Sequence, residues 1–429
     1  MKNCKFIKNK NRINFTLTVV LILLSAVMLC SCNFDFASIL SEKPTESVQA
    51  TTEPATEPTA KFKPPLDIKT SYSYDNLSSD KLREIYVIID EYAENADTSA
   101  ISLDVLLDEK NIEEAIEAYK NDHPEVFWLS NTFYYISNPI SCSTSVELTY
   151  HTEASELDNT KAKFKKALKK ALDSAPKNAT DYELELYANN YLVDNCVYDE
   201  EAVKSEEIIG HENDAYGALV EKKAVCEGYS RAFQLLCNRL GVECINISGT
   251  ADGESHAWNN VKLDGEWYEV DVTWNDTDGD TAFPIYDLFN LPSDKFSKSH
   301  NTAPLYSEIT SSEYEKSNNY HNVFAPKCTG TKYYYYSYSC VTVYDINDGE
   351  KISEAIAQAA KNGNEYFDFV IDESLDFNST ADEIIYNGYL ADWISNANLA
   401  NWYNPNLNEE CYLYRNEEFN VITLILEYI

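Results

Sequence analysis

The sequence predicts an α+β fold centred on a helix that carries a cysteine, packed on an antiparallel sheet that carries a histidine and an aspartate. Three observations predict it. Tyr229, Phe233, Leu236 and Leu240 recur at helical spacing just after Cys226, and Gly241 stands where a C-terminal cap belongs. Two strand-like runs, 256–263 and 266–273, flank Asp264-Gly265, a strong signal for a two-residue hairpin turn. Helical and strand-like stretches mix on both sides, giving an N-terminal α+β region over 66–178, a central domain over 179–310 and a separate small α+β domain over 326–429.

Taken from the start, residues 1–31 read as a leader. Lys2, Lys5, Lys8, Lys10 and Arg12 make a positive segment, and 15–29 is an apolar run of signal-peptide length. The run ends in Leu29-Cys30-Ser31-Cys32, which resembles a bacterial lipobox and implies lipidation of Cys32. Residues 32–65, rich in Thr, Glu, Pro and Ala, have too little apolar surface to fold and read as a spacer. The expected location is the outer face of the cytoplasmic membrane, held by the N-terminal lipid alone.

In the N-terminal region, Leu82, Ile85, Ile89 and Tyr92 form a helical stripe, and a second helix is expected near 112–119. Strands are expected at 132–136 and 145–150, the latter with alternating Val146, Leu148 and Tyr150. The lysine-rich helix over 161–175 reads as a solvated face rather than a membrane-binding one. The central domain has helices expected at 181–196 and 215–221 and at Cys226 to Leu240, then strands at 242–248, 256–263 and 266–273. The C-terminal stretch has Lys332-Tyr333-Tyr334-Tyr335-Tyr336-Ser337-Tyr338, read as a half-buried strand, with helices at 353–362 and 381–396. Further strands are expected at 366–371, 411–415 and 419–428.

A formal charge of −37 over 429 residues excludes a nucleic-acid binder, because a polyanion repels this surface. It fits solubility outside the cell, or a basic substrate. Of eleven cysteines, Cys4 and Cys30 fall in the leader, Cys32 is the candidate anchor and Cys226 the candidate nucleophile. No cysteine–histidine pattern has zinc-ligand spacing, so neither a metal nor a cofactor is expected. Asp276-Thr277-Asp278-Gly279-Asp280 has its glycine too early for a calcium loop and reads as a polar turn.

The chemistry lies between 224 and 280. Cys226 opens its helix, and a helix N-terminus offers unpaired N–H groups and partial positive charge, which favour a thiolate and can hold an oxyanion. A two-residue turn at Asp264-Gly265 pairs Leu263 with Glu266, Val261 with Tyr268, Trp258 with Asp271 and His256 with Thr273. Ala257, Val261, Leu263, Tyr268, Val270 and Val272 then share an apolar face, while His256, Trp258, Asn260, Trp267, Glu269 and Asp271 share the other. His256 and Asp271 become diagonal neighbours, with Cβ atoms roughly 7–8 Å apart, a span that an imidazole and a carboxylate can bridge. A thiol needs a base to take its proton, and a carboxylate fixes the imidazole tautomer. Cys226, His256 and Asp271 are therefore the candidate catalytic residues. Cys237, on the buried helix stripe, and Cys244, in a strand, read as core, and His123 is a weaker rival.

The blocks AVCEGYSRAFQLLCNRLGVE and SHAWNNVKLDGEWYEVDVTW resemble the transglutaminase-like superfamily of papain-fold enzymes. The resemblance covers about 212–300. It is weaker over 70–150, where Asp122-His123-Pro124-Glu125-Val126-Phe127-Trp128 is similar to a segment of related lipoproteins, and it does not reach 326–429. It implies a Cys226-His256-Asp271 triad and a thioester intermediate, with Tyr216 as the candidate oxyanion side chain and Trp258 as a candidate substrate contact. The expected function is a monomeric, surface-anchored enzyme that cleaves amides of peptides or proteins, with hydrolysis preferred over cross-linking. The rival reading is an inactive papain-like module that binds a surface protein or glycan.

Overall fold

The computed structural model describes Lys5–Phe6 and residues 71–205, 210–277, 283–314, 320–400, 406–409 and 411–429. The apolar run at 15–29, Cys32 and the 32–65 spacer lie outside the described residues, as do residues 278–280 of the polar turn. No helix among the described residues is long and apolar enough to cross a membrane.

The fold is α+β. At its centre the helix Cys226–Leu240 buries Tyr229, Ala232, Phe233, Leu236 and Cys237 against a sheet. That sheet has the strand order Phe289–Leu291, Glu266–Val270, Glu254–Leu263, Glu243–Ala251, His300–Thr302. Val261, Leu263, Tyr268, Val270 and Val272 enter the same core as the helix, as the alternation predicted. The hairpin register is also the predicted one: Leu263 faces Glu266, Val261 faces Tyr268 and Asn259 faces Val270. Asp264 and Gly265 both have positive φ, 51° and 86°, the backbone of a tight turn whose twist matches its strands.

The second strand ends earlier than expected. Pairing stops at Val270, and Val272–Asn275 forms one helical turn. Trp258–Asp271 and His256–Thr273 are therefore not ladder pairs. The cause is Asp271, whose Oδ1 accepts from the backbone N–H groups of Thr273 and Trp274 at 2.9 and 3.2 Å. This capping draws the chain out of the strand.

The N-terminal region shares this core. The helix Asp80–Ala93 buries Leu82, Ile85, Tyr86, Ile89 and Ala93, each large side chain contributing about 1.5–3 kcal/mol. The helix Glu109–Asp122 packs beside it, with a sheet ordered Ile101–Leu103, Ser143–Tyr150, Leu129–Asn138. The lysine-rich helix Leu157–Asp173 buries only Leu157, Phe164 and Ala171; Lys161 lies over the Trp128 ring at 4.0 Å, and its other lysines are exposed.

The C-terminal stretch has its own core, built on Ile356, Phe369, Ile384, Leu390, Ile422 and Leu424. Its strands Val341–Val343, Tyr366–Ile371, Val421–Ile425 and Tyr412–Asn416 pair in that order. The helix expected at 381–396 is two, Phe377–Tyr386 and Tyr389–Ala400, broken at Gly388 with φ +96°.

The tyrosine run corrects the sequence reading. Tyr335–Tyr338 is a helical turn, not a strand. Tyr335 stacks on Tyr286 at 3.9 Å, Tyr338 packs on Tyr182 at 4.6 Å, and the Tyr336 hydroxyl donates to Asp287 at 2.8 Å. A strand would send alternate rings to opposite faces. Here neighbouring rings all find partners in the junction between the central and C-terminal parts, and that packing overrides β-propensity.

Candidate active site

Cys226 is the first residue of its helix. Val225 precedes it as the N-cap and supplies no side-chain hydrogen bond, so no capping group occupies the first-turn N–H groups. The helix is braced from beneath by Arg231, which is buried. Its guanidinium meets Glu227 at 2.9 Å and Glu117 at 3.2 Å and donates to the Lys120 carbonyl at 3.1 Å. Removing either acid would leave a buried charge underpaired, so this pairing ties the cysteine helix to Glu109–Asp122.

Cys226 and His256 line one cavity of about 140 Å³. Glu113, Glu117 and Glu227 also line it, the last two paired with Arg231. Burial, partly opposed by the Tyr306 hydroxyl and reinforced by Glu117 and Glu109, pushes the Glu113 carboxyl up to about 7.

Behind the cavity, His256 Nε2 lies 2.7 Å from Asp271 Oδ2, and Asp271 is fully buried. The carboxylate already accepts two backbone N–H groups on Oδ1, so Oδ2 takes its proton contacts from imidazole. That puts a proton on Nε2 of His256 and leaves Nδ1 for the sulfur side. Burial works to lower the His256 pKa. The charge and hydrogen bond of Asp271, with the hydrogen bond and charge of Cys226, outweigh it and hold the imidazole up to about 10. Burial acts the other way on Asp271, but His256 and then His300 hold its carboxyl well below the usual range.

His300 is a site residue that the sequence reading missed. Its Nε2 lies 3.1 Å from the same Asp271 Oδ2, and its Nδ1 lies 2.8 Å from Ser299 Oγ. It opens the short edge strand His300–Thr302, paired with Gly249–Ala251. No alternation or turn signal marks a three-residue strand, so only its pairing in the folded sheet brings it to the site. His256, Asp271 and His300 place ligand-type atoms within 4.8 Å of one another. The 2.7 and 3.1 Å separations are hydrogen-bond contacts, and an ion would have to break both.

Trp258 lies behind the site rather than along the cavity. It is 1 % exposed, donates from Nε1 to Glu269 at 2.8 Å and backs the rings of His256 and His300. Gly249 makes this possible, because a Cβ there would meet the Trp258 ring at 2.5 Å. Tyr216 is also elsewhere: it is buried among Phe127, Phe164 and His211 and is not part of the cavity wall. Cys237 and Cys244 are buried, and burial raises both thiols. His123 stacks on Tyr119 at 4.6 Å, away from the cavity.

Residues 166–272 match the family described as the transglutaminase-like superfamily. The chain carries a transglutaminase-like domain. This domain holds Cys226, His256 and Asp271, and His300 lies beyond the matched residues. Kyphoscoliosis peptidase of Mus musculus and that of Homo sapiens are each 35 % identical over 68 residues, 13 % of this chain. The chain spans about a tenth of the length of these curated relatives. A solved transglutaminase structure aligns over 47 % of this chain and 56 % of its own, at 17 % identity and a TM-score of 0.26.

Proposed function

We propose that the transglutaminase-like domain performs thiol-dependent acyl transfer from amide bonds of peptides or proteins, with water as the preferred acceptor. The observation that carries this reading is the His256–Asp271 contact, 2.7 Å through Nε2 and wholly buried, which leaves the other ring nitrogen for Cys226 on the cavity wall. The Cys226 thiol passes its proton to His256 Nδ1 as the sulfur attacks the substrate carbonyl carbon, and the first-turn N–H groups stabilise the oxyanion. The C–N bond breaks as His256 Nδ1 gives its proton to the leaving amine, and a thioester remains on Cys226. His256 then takes a proton from water, which attacks the thioester, releases the acid and restores the thiol form of the site. Asp271 keeps His256 oriented through both steps. Water needs no second binding site, which favours hydrolysis over cross-linking. We further propose that the protein is exported and lipid-anchored at Cys32.

The test is iodoacetamide at pH 6 with peptide mapping, followed by incubation with a glutamine-containing peptide with and without an amine probe. Preferential labelling of Cys226, with peptide hydrolysis that C226A abolishes, is expected. Labelling confined to Cys237 or Cys244, with no turnover, would overturn the reading in favour of a binding module. Dominant amine incorporation would make the enzyme a transferase instead.

A further inference from the structure

We infer that His300 is a positioning residue for the Cys226–His256 pair, acting through Asp271. The inference rests on the acyl-transfer reading above and adds to it a residue outside the three that the sequence singles out.

Asp271 Oδ1 receives the backbone N–H groups of Thr273 and Trp274, and Oδ2 receives the Nε2 groups of His256 and His300. An ionised carboxylate accepts about four hydrogen bonds, so these four contacts leave it no freedom to rotate. Both imidazoles must donate through Nε2. In a neutral His300 this makes Nδ1 the acceptor, and the Ser299 hydroxyl, 2.8 Å away, donates to it. Ser299 thus selects the tautomer in which His300 can donate to Asp271.

His300 itself cannot drift. Its side chain is 0 % exposed, and it is enclosed by Phe296 at 4.1 Å, Trp274 at 4.8 Å and Trp258 at 5.2 Å between ring centroids. The two imidazoles are 5.6 Å apart, too far to bond directly, so Asp271 is their link. The titratable groups around this link are Cys226 and His256 on the cavity side and Glu269 behind the sheet, where Glu269 is engaged by Trp258 and Ser293. His300 is among the groups that keep Asp271 ionised. Its loss would weaken the anion and release one of the two contacts that aim Oδ2 at His256. His256 Nδ1 would then no longer be held toward the sulfur.

The test compares H300F, H300Q and S299A with the wild type, using the iodoacetamide rate at Cys226 across pH and kcat and KM on a glutamine-containing peptide. H300F removes the donor but keeps a ring. H300Q places an amide N–H the same number of bonds from the backbone as Nε2. S299A removes only the tautomer-selecting hydroxyl at a partly exposed position. H300F should lose roughly 10- to 100-fold in kcat with KM within about twofold, matching the loss of a hydrogen bond to a charged group. Its pH profile should narrow on the basic side, as His256, less firmly held by Oδ2, loses its proton more readily. H300Q should recover most of the rate, and S299A should lose about two- to fivefold. A folded H300F with wild-type kcat and profile width would overturn the inference, as would H300Q no better than H300F. If H300F does not fold, H300Q and S299A decide: a wild-type profile in S299A together with a disabled H300Q overturns it. A wild type in which Cys226 neither alkylates nor turns over peptide sinks the acyl-transfer reading itself. An active wild type with unaltered variants sinks this inference alone.

Discussion

Asp271→Asn is the most informative single perturbation of this site, because the amide keeps the shape of the carboxylate and changes only its charge and one acceptor. If the amide nitrogen takes the place of Oδ2, it meets two Nε2–H donors. His256 must then turn to its other tautomer and present Nδ1–H to the sulfur, which makes it useless as a base. If the nitrogen takes the place of Oδ1, it faces the N–H groups of Thr273 and Trp274, and the helix cap is lost instead. Either way the charge that holds the His256 pKa up to about 10 against burial is gone. A fall back to the ordinary value near 6.5 is worth about 4–5 kcal/mol at about 1.4 kcal/mol per unit. That corresponds to roughly a 10³-fold loss of rate, within the range for tautomer-breaking changes in triads.

The assay is kcat/KM for a glutamine-containing peptide across pH 5 to 11, with thermal unfolding run in parallel. In the wild type the protonated imidazole persists to about pH 10, so the basic limb of the rate should lie there. In D271N the limb should move down by about three units while KM changes little. A folded D271N with a basic limb still near pH 10 and less than about a tenfold rate loss would refute the claim that Asp271 controls His256.

The same ion pair should mark stability. His256 has a folded-state pKa above its unfolded value, so its contribution is full below about pH 6.5 and is lost as pH rises through about 10. Asp271 is depressed, so its contribution is full above its unfolded value near 3.8 and is lost as pH falls below that. H256Q should therefore lower Tm most between about pH 4 and 6.5 and least above about pH 10, as differential scanning calorimetry would read. Glu185 behaves oppositely. It is fully buried with Asn290 on Oε2, and burial lifts its carboxyl to about 8. The native state thus keeps a proton that the unfolded chain releases above about 4.5, and stability drops by up to about 1.4 kcal/mol per pH unit toward 8. E185Q should flatten that slope and melt higher than the wild type at pH 8; an unchanged slope in chemical denaturation would refute the assignment. For the anchor, C32S should move the protein from the membrane pellet to the soluble fraction after cell lysis, and equal partitioning of both forms would count against lipidation.

How much of this was legible in sequence depended on whether a local rule fixed the answer. The Asp264-Gly265 turn fixed the register residue by residue, because a two-residue loop leaves one pairing that puts Val261, Leu263, Tyr268 and Val270 together in the core. The cysteine helix was equally plain from its stripe and Gly241. What failed was set by tertiary partners. Asp271 was expected within a strand, yet its side chain caps the next helical turn and holds His256 with its other oxygen. The tyrosine run has strand composition, but its rings are claimed by Tyr286, Tyr182 and Asp287 from another part of the chain. Tyr216 followed a family expectation, and its packing with Phe127 and His211 leaves it in the core.

The double use of Asp271 has a consequence for how the site depends on the fold. Its four acceptor contacts come from two backbone groups in the turn after the hairpin, one imidazole on a central strand and one on an edge strand. Orientation of His256 is therefore shared among three segments that meet only in the folded state. Those segments are held from behind by Ile245, Ile247, Trp258, Leu288, Leu291 and Phe296, a small apolar cluster apart from the main core. Shortening Phe296, which touches His300 at 4.1 Å, leaves a cavity on the side of the sheet away from Cys226. Such a change alters no group that meets substrate, yet it loosens the second donor on Oδ2. The apolar cluster around Phe296 thus sets how firmly His256 is aimed at the sulfur.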